Sequence, residues 1–130
     1  MKTLLITVGV LAAIIAMSYG FDANMARKFH EDFLKCNKQL GKSPPEANVD
    51  TVLCAVDMYG LRNEKGEFRK EAVLQAYVDL ISDDDKRKLA KIICHKCYDY
   101  VTKSGATGDE QGRKITNCCI PTMYLLDEVE

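Results

Sequence analysis

The stretch SDDDKRKLAKIICHKCYDYV, residues 82–101, decides the fold. Three carboxylates open it, three cations follow within the next turn, and Leu89, Ile92, Ile93, Cys97, Tyr100 and Val101 then recur at helical steps of three and four. Acidic residues in a first turn face the positive end of the helix dipole, so the sequence predicts a helix that starts here, with Ser82 as its N-cap. Cys94 and Cys97 lie one turn apart within it, so whatever they bond to is packed against a helix. The charge clusters Asp83-Asp84-Asp85 and Lys86-Arg87-Lys88 are adjacent and opposite in sign, which describes a solvated helix entrance rather than two binding patches.

Working outward, the same periodicity extends over nearly the whole chain. Met25, Phe29, Phe33, Cys36 and Leu40 form one apolar stripe on a helix expected over about 23–40, stopped by Gly41 and the rigid connector Lys42-Ser43-Pro44-Pro45. Val49, Val52, Leu53, Val56 and Tyr59 mark a second helix up to Gly60, and Asn63-Glu64-Lys65-Gly66 reads as a polar turn. Phe68, Ala72, Val73, Ala76, Tyr77 and Leu80 mark a third helix over about 67–81. Beyond the helix of the opening stretch, a loop over 104–108 leads to a fifth helix over about 109–120, ended by Pro121. The tail Met123-Tyr124-Leu125-Leu126 is apolar. No alternation of period two competes, so the expected class is all-α: a compact disulfide-linked bundle of about five to six helices around an apolar cavity.

The compartment follows from the first twenty residues. Met1-Lys2 is a short basic start, Leu4 to Met17 is an uncharged apolar run, and Ser18-Tyr19-Gly20 puts small residues where a signal peptidase reads. The run is short for a bilayer span. Residues 1–20 are therefore expected to be a signal peptide and 21–130 a single helical ligand-binding domain, secreted and extracellular. All six cysteines fall in the second part, and an even set in an oxidising compartment is a disulfide framework by default. The chain carries a formal charge of -1, and loss of Lys2 with the leader leaves the mature part nearly neutral. Without a basic stripe, nucleic acid is not an expected partner. No Asn-x-Ser/Thr triplet is present, so N-glycosylation is not expected either.

The segment Cys54-Ala-Val-Asp-Met-Tyr-Gly60-Leu-Arg-Asn-Glu-Lys-Gly66-Glu-Phe68 resembles the stretch after the third cysteine of the insect odorant-binding proteins, short secreted chains of about six helices. Phe33-Leu34-Lys35-Cys36 is similar to the surroundings of that family's first cysteine, Cys94 after Leu89, Ile92 and Ile93 to the fourth, and Cys118 to the sixth. The departures are specific. Asp50 stands where the family has its second cysteine and Asp109 where it has its fifth, so the bridge between those two is missing, while Cys97 and Cys119 are extra. The segment between the first and third cysteines is also shorter than in the family. By this resemblance the expected pairing is Cys36–Cys54, Cys94–Cys118 and Cys97–Cys119. Exchanging partners between the last two pairs would leave the architecture nearly unchanged.

The resemblance implies carriage of a small hydrophobic ligand (an odorant, a pheromone or a lipid-like molecule), delivery to a membrane receptor, and a tail that folds over the cavity, with Met123, Tyr124 and Leu125 as its lid. The residues themselves leave plain core packing open for each apolar position. The expected ligand-binding set is Phe33, Val52, Val56, Tyr59, Phe68, Val73, Tyr77, Leu89, Ile92, Ile93, Tyr98, Ile115, Met123 and Tyr124, in which tyrosine hydroxyls would give the single hydrogen bonds an alcohol, aldehyde or ester needs. The rival from another class is a secreted disulfide-rich effector or interaction protein, of venom, salivary or gland type, with no small-molecule ligand.

Other chemistries fit less well. Cys94-His95-Lys96-Cys97 has the spacing of half a zinc site, but the adjacent Cys118 and Cys119 close a tetrahedron awkwardly. Cys94-His95 with Asp99 is faintly like a secreted phospholipase, yet the double cysteine comes afterwards and no glycine-rich calcium loop exists. Asn63 to Gly66 lacks the alternating acidic ligands of a calcium loop. His30 is expected on the polar side of the first helix, and His95 is a candidate for pH-dependent opening if it lies near the tail. No enzyme, metal or cofactor is expected.

Overall fold

The protein is described by a computed structural model covering residues 20–42 and 47–128. The expected signal segment, apart from Gly20, and Ser43-Pro44-Pro45 lie outside these residues. Helix α1 spans Ala23–Gln39, α2 Val49–Tyr59, α3 Lys70–Leu80, α4 Asp84–Lys103 and α5 Gly108–Cys119, and a 3-10 helix, Ile120–Leu125, follows directly. The fold is all-helical and compact, as the periodicity predicts.

Three of the five helices, α1, α2 and α4, begin where a side chain takes up unpaired amide groups. The Asp22 carboxylate accepts from the Asn24 and Met25 amides at 3.0 and 3.2 Å, and the Asn48 side chain accepts from the Thr51 amide at 3.0 Å. At α4 the cap is Asp83, which accepts from the Lys86 amide, and not Ser82. The Ser82 hydroxyl instead donates to Asp127 at 2.6 Å, because the chain tail returns to this point. α2 ends on Gly60 in the left-handed region, φ +84°.

The third helix starts three residues later than the sequence suggests. Residues 61–69 form a tight turn in which Arg62 and Phe68 bridge, the Asn63 side chain accepts from the Lys65 and Glu67 amides at 2.9 Å each, and the Arg69 amide donates to the Leu61 carbonyl. The Phe68 amide is taken by the buried Gln111 side chain on α5 at 2.8 Å, so it has no place in an α3 ladder. Pro121 likewise does not end the helical path but converts it to 3-10 geometry.

α1 packs on α2 and α3, α4 on α3 and α5, and α2 on α5, which closes the bundle. The core runs through Phe29, Val52, Val56, Phe68, Val73, Tyr77, Leu80, Ile81, Val101 and Ile115. Cys36–Cys54 cross-links α1 to α2, and Cys97–Cys118 cross-links α4 to α5. Neither link joins α2 to α5. There the Asp50 carboxylate accepts from Arg113 at 2.6 Å, and the Arg62 guanidinium donates to Asp57 at 2.7 Å and Asp109 at 2.8 Å. Asp50 on α2 and Asp109 on α5 thus help to hold this junction by charge, which at an exposed site contributes only about 0–1 kcal/mol per pair.

Candidate functional site

An apolar cleft of about 720 Å³ opens between α1, the approach to α2, the end of α3 and the tail. α1 supplies Ala26, Phe29, Phe33 and Leu34 from one face. Leu80 forms the floor, and Met123, Tyr124 and Leu126 come from the tail, with His30, Asp127 and Glu128 at the polar edge. A smaller inner cavity of about 50 Å³ shares Phe29, Leu80, Met123 and Leu126 with the cleft and continues inward to Val52, Val56, Phe68, Val73, Tyr77, Thr116, Cys119 and Thr122.

The tail is placed by polar contacts at both ends. Thr122 is buried and donates to the Cys119 carbonyl at 2.7 Å. That bond uses the threonine's own proton, so the Tyr77 hydroxyl is the donor in its 2.9 Å contact with Thr122. Burial, with the two thiols of Cys119 and Cys94 nearby, pushes the Tyr77 phenol far above its ordinary range, which keeps that proton in place. Five residues on, the Asp127 amide donates to the Leu80 carbonyl at 3.1 Å, and its carboxylate accepts from the Ser82 amide at 2.8 Å. Between these anchors the apolar side chains of Met123, Tyr124 and Leu126 face the cleft. Tyr124 remains 76% exposed, so it stands at the mouth and not in the interior.

The residues expected to bind ligand divide clearly. Phe33, Met123 and Tyr124 line the cleft, and Val52, Val56, Phe68, Val73 and Tyr77 line the inner cavity. Six of the expected set lie elsewhere. Tyr59 is held away by a hydrogen bond from its hydroxyl to Asp79 at 3.1 Å, and burial together with that carboxylate raises its pKa. Its ring meets Phe29 edge-on at 5.9 Å. Tyr98 packs against Phe68 under the Lys70 ammonium. Ile115 is fully enclosed, and Ile93 packs against the core. Leu89 and Ile92 are 47% and 52% exposed on the outer face of α4, because the opposite face of that helix carries the cysteines.

Ala26, Phe29, Leu34, Leu80, Leu126 and Thr116 were not in the expected set. Phe29 was legible as part of the α1 stripe, but nothing in a stripe says which part of it a neighbour leaves uncovered. His30, expected on the polar side of α1, borders the cleft. His95 faces Asp99 at 3.2 Å on the surface of α4 and does not reach the tail.

The pairing of the second cysteine group differs from expectation. Cys97 bonds to Cys118, not Cys119, and Cys94 is not joined to Cys118; Cys94 and Cys119 are buried thiols. Their proximity, with help from Lys70, lowers the pKa of Cys94 and, together with burial, raises that of Cys119. In an oxidising fluid these neighbours are expected to close a third bridge, two protons and two electrons passing to a disulfide such as oxidised glutathione. Peptide mapping of unreduced protein should then yield Cys94–Cys119 and no alkylated cysteine. A Cys94–Cys118 peptide would overturn this assignment.

Fold and site together define a small disulfide-linked helical protein with an apolar cleft under its tail. The family model for the ant venom allergen Sol i 2 family matches residues 35–123, more than half of the chain, and the chain belongs to that family. No curated protein and no solved structure matches it. The family shown is therefore not the odorant-binding family, whose likeness rests on helix and cysteine spacing that other disulfide-linked helical chains can share. Membership and the two disulfides fit a secreted protein.

Proposed function

We propose that the chain is a secreted, non-enzymatic protein of venom type, made with a leader and released into a glandular fluid. Its membership of the venom allergen family carries this reading. Disulfides between helices support it, since cross-links of this kind form and persist outside the reducing cytosol. The surroundings of the two histidines support the non-enzymatic part of the reading: His95 pairs with Asp99 at the surface, and the described residues lining the cleft beside His30 include no Ser, Cys or Lys.

One observation favours a second reading, that the protein carries a small hydrophobic molecule. The cleft of about 720 Å³ is within the size range of small-molecule sites and is mostly apolar with a few polar groups at its edge. Burying a ten-carbon chain gives a gross of about 8 kcal/mol, and the costs of association bring the affinity to roughly micromolar. The test is titration of the 21–130 chain with the fluorescent probe N-phenyl-1-naphthylamine. Saturable binding, displaced at micromolar concentration by long-chain alcohols or fatty acids, supports the carrier. Lack of displacement by any apolar compound leaves the venom-type interaction protein alone.

A further inference from the structure

We infer that the cleft takes its guest head-first, and that the Thr116 hydroxyl anchors one uncharged polar group of an otherwise aliphatic molecule. The inference rests on the carrier reading and adds to it the ligand's chemical class and its direction of entry.

Thr116 lies on α5 and is 2% exposed. Its Oγ1 is enclosed and without a hydrogen-bond partner among the described residues, and Thr116 is one of the residues that line the inner cavity. A buried hydroxyl left unpaired is costly, and native structures supply a partner from protein, water or ligand. Protein does not supply it here. The two other hydroxyls in the cavity wall are engaged with each other, Tyr77 donating to Thr122 at 2.9 Å, and Thr122 donating in turn to the Cys119 carbonyl. A trapped water needs two to four polar partners; besides Thr116 the wall offers the free lone pairs of the Tyr77 and Thr122 hydroxyls and the Cys119 thiol, so a water held there occupies the place that a guest's head group would take.

A guest's hydroxyl or carbonyl needs a single partner, and its chain provides the rest of the contact. The inner cavity, about 50 Å³, suits such a head group. The four side chains shared with the cleft, Phe29, Leu80, Met123 and Leu126, form the passage through which an alkyl chain would run out into the larger space. No side chain of Asp, Glu, Lys, Arg or His lines the inner cavity. A carboxylate or ammonium placed there would be a buried, unpaired charge, so the head group is neutral. Alcohols, aldehydes, ketones and esters satisfy both conditions.

The experiment compares 1-octanol, octanal, octanoate and n-nonane as displacers of N-phenyl-1-naphthylamine from the full 21–130 chain and from Thr116→Val and Thr116→Ser. Valine keeps the volume and removes the hydroxyl, whereas serine keeps the hydroxyl. The expected result is that 1-octanol and octanal bind the wild type about five- to tenfold more tightly than n-nonane, the size of effect one neutral hydrogen bond gives. Octanoate should be the weakest of the polar three. Thr116→Val should erase the preference by weakening the alcohol and leaving the alkane unchanged, and Thr116→Ser should restore it. Equal affinity of the wild type for octanol and nonane overturns the anchor while leaving the carrier intact, and requires no variant to fold. A preference that survives in Thr116→Val also overturns it. If the probe itself does not bind, the carrier reading falls, and the anchor with it.

Discussion

Cys54→Ser should lower the folding stability of the chain by about 3 kcal/mol, a large part of the total for a domain of this size. The bond it removes joins α1 to α2 across 18 residues of sequence, and that intervening segment contains the Pro44-Pro45 connector. In the unfolded chain the cross-link restricts a loop of this length, and its loss returns that freedom. A second effect adds to the first. Cys36 is fully buried beside the Met58 sulfur at 3.6 Å, so the remaining thiol stays inside a core shaped for a disulfide. In urea the midpoint should fall by roughly 2 M. Loss of the Asp50–Arg113 pair by Asp50→Ala, at an exposed junction, should move it by less than half as much. A Cys54→Ser midpoint equal to that of the wild type would show that this bridge contributes nothing.

Gly112→Ala should be nearly as damaging, against the usual rule. In a helix interior alanine is favoured over glycine by about 1 kcal/mol, and α5 has ordinary helical geometry at this point. The obstacle is tertiary. A Cβ at Gly112 would lie 2.0 Å from the carbonyl oxygen of Gly66 and 2.9 Å from the Arg62 Cδ. Backbone oxygen cannot rotate aside as a long side chain can, so α5 and the turn over 62–68 would have to separate. The same movement would strain the Phe68 amide bond to Gln111 and the Arg62 contact with Asp109. The expected cost is about 3 kcal/mol, at the upper end of overpacking effects, read as a fall of roughly 10 °C or more in thermal midpoint. An unchanged or raised midpoint would mean that the close approach of α5 to this turn does not exist in solution.

The contrast between these two substitutions marks what can be read from a linear chain. Cys54 announces its role as half of a disulfide by residue type and compartment, and only the resemblance implied Cys36 as its partner. Gly112 carries no such sign, since a lone glycine in a polar helical segment reads as a weak point and not as a place of contact. The polar residues of the site are similarly silent. Thr116 looks like any threonine on a helix until Val56 of α2, Phe68 of the turn before α3 and Tyr77 of α3 line the same cavity with it. Leu89 and Ile92 show the reverse case: periodicity marks both as core candidates, yet the α4 face that carries Cys94 and Cys97 takes the interior and turns them to solvent.

Helical period and the even cysteine count were determined by the sequence alone, because the first depends on residues within a few positions of one another and the second only on residue type. Which cysteine meets which, where the cleft opens and which hydroxyl is left unpaired inside it were decided only by the tertiary structure. Those outcomes depend on the relative rotation and depth of packed helices. A shift of one residue is enough to exchange Cys118 for Cys119 opposite Cys97, and no local pattern encodes that rotation.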